Sequence, residues 1–383
     1  MKILIIGGTG VLSSAVTVEA MKQGIAVTMI NRGRRKMPED IELIKADMND
    51  QSTIVSKLGD RNFDAVIDFL CYTDAQTEKS VKLYSNYTKQ YFYISSCAVY
   101  DTSTLNGQMA DEESKKVLPI WKYSVDKWES EQKLRALLDG TDVKYTIIRP
   151  SVTYGNTRIP YGIMPPYGYH WTLCARILAD KPIITWNGGN NRCNMTRVED
   201  FAVGVVGLIG NPKAYNEAFN ICGDETPTFS EVLDVVGEML GKKVIRVDIA
   251  PKFYAKECPL KAGEILGGRS IDTVNSNNKI KEAVPSFRQT CNIREGIKKT
   301  IEAYRQQNYQ KGIDWSFDAE TDRIIKAWLK KNNQDLRKFR VGFIDYLGTA
   351  GFKNKKTYWL TLHKKNPLVH ILVSCVKKAS RLL

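Results

Sequence analysis

Apolar runs and amphipathic stretches alternate along this chain from its first residues. Ile3-Leu4-Ile5-Ile6 has no polar interruption, the pattern of a strand buried on both faces of a parallel sheet. Gly7-Gly8-Thr9-Gly10 ends that run. Val11, Leu12, Ala15, Val18 and Met21 then recur at helical spacing as far as Gly24, a helix-stopping glycine. A second apolar run, Ala26 to Ile30, follows at once. Further strands are predicted at 42–45, 63–70, 91–95 and 143–148, and helices at 55–58, 80–87 and 128–138. Trp328-Leu329 closes a later helix, and another is predicted over 293–304. Strand and helix units in this order fold as an α/β, doubly wound parallel sheet. The sequence holds no internal repeat and no low-complexity tract.

A glycine turn between a first strand and a first helix presents backbone N–H groups at a helix N-terminus, where a pyrophosphate is well bound. Ser13 stands where a third glycine is usual, so the strand–turn–helix context carries the reading more than the glycine spacing does. Gly7, Gly10, Val11 and Leu12 are the predicted dinucleotide contacts. After the second strand an Asp or Glu would accept the ribose 2′-OH of NAD; the chain has Asn31, then Arg32, Arg34 and Arg35. Neutral and basic residues there favour the 2′-phosphate of NADP, while a solvated basic loop is the alternative. Asp47, with Met48 beside it, stands where an adenine amino group would be bound. Ser95-Ser96 ends the predicted fifth strand, and Tyr123 and Lys127 open the following helix at i, i+4 spacing, on one face.

The stretches GGTGVLSS, ADMND, DAVIDF, YISSCAVY, YSVDK, IIRPSVTYG, RVEDFAVGVV and AFNICGDETPTFSEV run in order across about residues 1–300. In them the chain resembles the extended short-chain dehydrogenase/reductases, the NAD-dependent epimerase/dehydratase family. INRG after the second strand resembles an atypical branch similar to the chloroplast stem-loop-binding proteins. The resemblance implies a Rossmann NAD(P)-binding domain over 1–150, to which 201–224 returns. It implies a smaller, partly interleaved substrate subdomain over 151–329, followed by a basic extension over 330–383. It makes Ser96, Tyr123 and Lys127 the catalytic set, with Lys127 also holding the nicotinamide ribose. A free Tyr has a pKa of about 10, so only about one in a thousand is phenolate at neutral pH. A nearby ammonium and an oxidised nicotinamide lower that pKa. Family 4,6-dehydratases carry Asp-Glu after the catalytic Ser or Thr; Cys97-Ala98 stand here, which disfavours dehydration and leaves epimerisation or reduction. Arg192 lies near the family arginine that meets a nucleotide-sugar diphosphate, although its surroundings, RCNMT, depart from the family's RDF. Ser96 and Arg192 are the predicted substrate contacts.

Composition adds bounds. The eight cysteines show no CxxC or metal-ligand spacing and read as buried reduced thiols of a cytoplasmic protein, and no metal site is expected. The N-terminal apolar run is too short for a signal peptide, and no segment reaches the ~18–20 apolar residues of a membrane span. Of the net charge of +14, residues 330–383 carry +11, from 13 Lys and Arg against Asp335 and Asp345. The body is near neutral, which argues against a general nucleic-acid surface on it. Tyr154 to Trp171, dense in Pro, Gly and aromatics, is either a binding loop or a packed one; His170 within it reads as packed or solvated, and Asp200 as a fold-supporting residue near a helix start. The tail from Phe352 mixes lysines with aromatic and aliphatic residues and suits a peripheral membrane surface, the body, a second subunit or a partner enzyme. Two functions follow: an NAD(P)-dependent, homodimeric enzyme acting on a sugar, most naturally a nucleotide-linked one, or an RNA-binding relative using the same fold.

Overall fold

The computed structural model describes residues 1–35, 38–105, 107–309, 311–342 and 350–369. In chain order the first elements are β1 (Lys2–Ile6), α1 (Val11–Lys22), β2 (Ala26–Asn31), β3 (Glu42–Lys45), α2 (Gln51–Leu58), β4 (Ala65–Asp68), α3 (Asp74–Tyr84), β5 (Gln90–Ile94), α4 (Lys122–Leu138) and β6 (Lys144–Pro150). There follow β7 (Val152–Tyr154), α5 (Trp171–Leu178), β8 (Ile183–Thr185), β9 (Met195–Arg197), α6 (Val198–Gly207), β10 (Glu217–Ile221), α7 (Phe229–Leu240) and β11 (Arg246–Asp248). The last are α8 (Pro251–Glu257), α9 (Ala262–Glu264), α10 (Asn278–Ala283), α11 (Ile293–Gln306), α12 (Trp315–Lys331) and α13 (Phe352–Leu362).

Two compact units result. The first is built from Met1–Gly155, Asn191–Thr228 and Leu266–Gly296; the second from Asn156–Asn190, Phe229–Ile265 and the described part of Ile297–Leu383. In the first unit seven strands form one parallel sheet in the order β10-β6-β5-β4-β1-β2-β3, the doubly wound arrangement expected from the sequence. Because side chains alternate across a strand, Ile3 and Ile5 of β1 face α1 and α6, while Leu4 and Ile6 face the side covered by α2, α3 and α4. Both faces are apolar, which is why the strands read as unbroken hydrophobic runs.

Helix starts differ most from expectation. α4 begins at Lys122, so Tyr123 and Lys127 open it as their spacing predicts, ahead of the apolar period at 128–138, and the buried Ser124 Oγ accepts the Leu118 N–H at 3.1 Å. α3 begins at Asp74, with the Thr73 hydroxyl accepting the Gln76 N–H, and α2 at Gln51, with Asp50 accepting the Thr53 N–H. Asp200, in the first turn of α6, is buried and accepts from the Thr290 N–H at 3.1 Å and the Thr290 hydroxyl at 2.6 Å, holding the 290 segment to the unit.

The second unit is organised on a buried ionic cluster. Arg176 of α5 reaches Asp318 at 2.6 Å and Asp322 at 2.9 Å, both on α12, and Lys181 reaches the same two carboxylates at 2.7 and 2.6 Å. The Tyr358 hydroxyl of α13 donates to Asp322, as does the Gly342 N–H at 2.9 Å. Two cations against two anions, with every carboxylate oxygen hydrogen-bonded, is the condition under which buried charge is tolerable. His170 is buried in this unit, and burial together with the Arg158 charge pushes its pKa down to about 3, so it stays neutral at physiological pH.

Candidate functional site

The glycine turn closes β1 onto α1. Gly7 extends the β1–β2 ladder by donating its N–H to the Ile30 carbonyl at 3.0 Å, and Gly7 and Gly8 take φ of 103° and 63°. A Cβ on Gly8 would lie 2.2 Å from the Met29 sulfur, so the turn rests directly on β2. Gly10 is the N-cap of α1, and its N–H is taken by the Ser13 hydroxyl at 2.8 Å. Ser13 is buried and therefore does the helix-to-turn packing that a third glycine does elsewhere, adding a cap of its own. Val11 and Leu12 supply N–H groups that a helix leaves without internal acceptors in its first turn, at the positive end of the dipole.

Around this turn, the Asn31 side chain accepts the Gly33 N–H at 2.6 Å and so shapes the loop after β2. Arg32 and Arg34 are exposed, and Arg35 folds back to donate to the Thr9 carbonyl at 2.7 Å. Asp47 is exposed just beyond β3 and accepts from the Asn49 backbone at 2.9 Å; Met48 lies over the Tyr84 hydroxyl at 3.8 Å. All these groups sit at the carboxyl ends of β1, β2 and β3.

Ser96, Tyr123 and Lys127 sit at or beside the carboxyl ends of β4 and β5 in the same unit. The Lys127 ammonium is 3% exposed and donates to the carbonyls of Cys71 at 2.7 Å and Ile94 at 2.8 Å, the first just past β4 and the second the last residue of β5. It lies 4.8 Å from the Tyr72 ring centre, 5.0 Å from Tyr93 and 6.0 Å from Tyr123. Burial pushes its pKa down to about 8, against the pull of nearby Asp68 and Glu131. Tyr123 is half-buried, its ring 5.5 Å from that of Trp121. Ser96 is half-buried, and its Oγ accepts the Ala98 N–H at 3.1 Å.

Sequence reasoning missed the polar wall behind this trio. Ser95 Oγ donates to Glu131 of α4, and Glu131 receives two bonds from Arg149 of β6, at 3.0 and 2.6 Å. Arg149 also donates to the Tyr100 hydroxyl at 3.0 Å, which donates to Asn220 at 2.6 Å. Every member is buried. Arg149 lies just past the strand predicted at 143–148, which in the structure runs on to Pro150. Cys97 is buried against the Arg149 carbonyl at 3.1 Å, and burial pushes its thiol far above neutrality, so it supplies no proton chemistry. Also unforeseen is a glycine pair against the helix start: a Cβ on Gly268 would lie 3.1 Å from the Trp121 ring. Arg192 lines a cleft of about 290 Å³ in the first unit with Thr102, Ser103, Leu118 and Val274, and is engaged by Asp272 through its N–H at 2.8 Å and its Nε at 3.4 Å. Among the described residues no group of three or more His, Cys, Asp or Glu is arranged to hold a metal.

The model of the NAD dependent epimerase/dehydratase family matches residues 3–222, a span that includes the glycine turn, Ser96, Tyr123, Lys127 and Arg192. The chain belongs to this family. It is 28% identical over 243 residues to the chloroplast stem-loop binding protein of 41 kDa b of Arabidopsis thaliana, covering 60% of each chain. It is 22% identical over 220 residues to the UDP-glucose 4-epimerase of Vibrio cholerae, covering 57% of this chain and 64% of that one. The match thus spans less than two thirds of either curated relative. Its fold is that of the Bacillus cereus UDP-glucuronic acid 4-epimerase solved with UDP-glucuronic acid and NAD, with a TM-score of 0.62 at 16% identity over 80% of this chain and 99% of that one.

Proposed function

We propose that this chain is an NAD(P)-dependent enzyme that epimerises or reduces a nucleotide-linked sugar, with Tyr123 as acid/base. The observation that carries the reading is Lys127: a buried ammonium held by the carbonyls of Ile94, which ends β5, and Cys71, just past β4, one helical turn from Tyr123. A dinucleotide fits the turn on structural grounds, since Gly8 leaves no room for a side chain above Met29 and Gly10 has none to block an approaching phosphate. The first-turn N–H groups of Val11 and Leu12 would hold the pyrophosphate, and Asp47 would accept from the adenine amino group. Arg32 and Arg34, exposed after β2, would pair with a 2′-phosphate, which favours NADP as the cofactor. When bound, the nicotinamide ring supplies hydride transfer at the sugar carbon.

This chain's residues supply the rest. Lys127 spends two of its three donors on carbonyls and offers the third to the ribose hydroxyls. Its charge would favour the Tyr123 phenolate, which could take a proton from the reacting sugar oxygen or, once protonated, give one to it. Ser96 hydrogen-bonds the same oxygen and orients it. Arg192, with Asp272 steering its side chain, meets the diphosphate. No carboxylate follows Ser96, so water elimination has no local acid and base. Product analysis on a panel of UDP-sugars, with the cofactor retained on the purified protein identified, tests the reading. Tyr123→Phe is expected to keep the fold and the cofactor and to lose about 10²–10⁴-fold in turnover. Wild-type turnover by that variant overturns the assignment. The second reading, recognition of a stem-loop RNA, is supported by the likeness to the Arabidopsis protein, and direct RNA-binding measurements distinguish it.

A further inference from the structure

α13 of the second unit carries an outward face that its own packing does not use. Its inward face is occupied: Tyr358 and Leu362 are buried with Ala319 and Trp315, and Tyr358 donates to Asp322. On a side turned about 110° from it, positions 352, 356, 359 and 363 fall within about 60° of one another at 3.6 residues per turn. They are Phe352, Lys356, Trp359 and His363, with Lys353 beside them. Phe352 is 84% exposed. The chain after the helix is pinned by two ion pairs, Lys364 to Glu320 and Lys365 to Glu257, each at 2.7 Å. The Lys365–Glu257 pair ties together the two segments that bear further exposed apolar residues, Leu368 and Leu260, each three residues beyond a member of it. Leu260 is 99% exposed and Leu368 is 68% exposed.

We infer that this face of the second unit, formed by α13, Leu368 and Leu260, docks on an anionic lipid bilayer. Residues 350–369 carry no acid, and of their five lysines Lys364 and Lys365 are paired with Glu320 and Glu257, so Lys353, Lys355 and Lys356 give the face the positive charge that complements a negative surface. Aromatic rings beside lysines suit the headgroup level, and bare leucines suit the acyl boundary beneath it. A phosphate backbone would use the lysines and leave the leucines unburied, and protein interfaces are depleted in lysine. Anchoring here is peripheral: among the described residues no helix is long and apolar enough to cross a membrane.

The test uses the full chain and sedimentation with phosphatidylcholine vesicles, with and without phosphatidylglycerol. Binding is expected only to the phosphatidylglycerol vesicles and is expected to weaken with salt. Lys353→Glu/Lys356→Glu should weaken it by more than about 25-fold, at about fivefold per lysine removed, and Phe352→Ser/Leu368→Ser should weaken it with every charge retained. These positions are on the surface, so circular dichroism should be unchanged. No binding to the anionic vesicles, or binding equal to both vesicle types, overturns the inference. So does binding of a stem-loop RNA that is lost in the lysine variant while vesicle binding is not. Cofactor binding by the same samples reports separately on the first unit.

Discussion

Replacing Lys127 by Met isolates the charge on which the proposed chemistry depends. Met has a similar length and no charge, so the variant removes an ammonium that is 3% exposed and whose pKa is pushed down from 10.5 to about 8. That displacement is equivalent to about 3 kcal/mol of unfavourable burial of the charged form, at about 1.4 kcal/mol per pKa unit. The substitution also strips the donor from the Cys71 and Ile94 carbonyls, at about 1–3 kcal/mol each. At neutral pH the two effects largely offset, and the variant should fold with a loss of no more than about 3 kcal/mol. The sign of the pH dependence follows from linkage. Between pH 8 and 10.5 the folded wild type binds fewer protons at Lys127 than the unfolded chain, so its stability rises with pH. This contribution is complete above the unfolded pKa and is lost as pH falls through the folded one. Urea unfolding of both proteins at steps across that window should therefore show the wild type gaining about 3 kcal/mol over the variant. A difference that stays flat would refute the buried ammonium. Cofactor titration of the same variant should show weakened binding, because the third donor is gone as well.

Gly10→Val should fold yet fail to bind a dinucleotide by calorimetry, because Gly10 has an ordinary φ of −85° and its nearest neighbour to a Cβ is Ser13 Oγ at 3.3 Å. Gly8→Ala should instead lower the melting temperature, since its φ of 63° and the Met29 sulfur leave no place for a methyl group. Arg32→Ala/Arg34→Ala should weaken NADPH far more than NADH in fluorescence titrations; an unchanged ratio would remove the basis for the 2′-phosphate assignment. Asp322→Asn should cost about 3–5 kcal/mol in chemical denaturation, because Arg176 and Lys181 then share a single buried carboxylate.

The βαβ unit at the start of the chain was legible because each of its elements is local: a run buried on both faces, a glycine break and a helical period. The seven-stranded parallel sheet follows from the same signal repeated. Tyr123 and Lys127 could be paired on one helix face from spacing alone. What Lys127 holds could not, since Cys71 and Ile94 lie 56 and 33 positions away and offer backbone carbonyls that no side-chain pattern marks. Ser13 looked like a missing glycine until its hydroxyl was found on the Gly10 N–H. Glu131 and Arg149, and the quartet of Arg176, Lys181, Asp318 and Asp322, look in sequence like solvated charges. Tertiary structure buries them by bringing opposite charges together across as many as 146 positions. The lysines and aromatics of residues 350–369 announced a basic amphipathic segment, but only the bond from Tyr358 to Asp322 decided which face turns inward. Hydrophobic period reports which side of an element is covered. The partner of a buried charge depends on the path of the whole chain, and periodicity carries no record of that path.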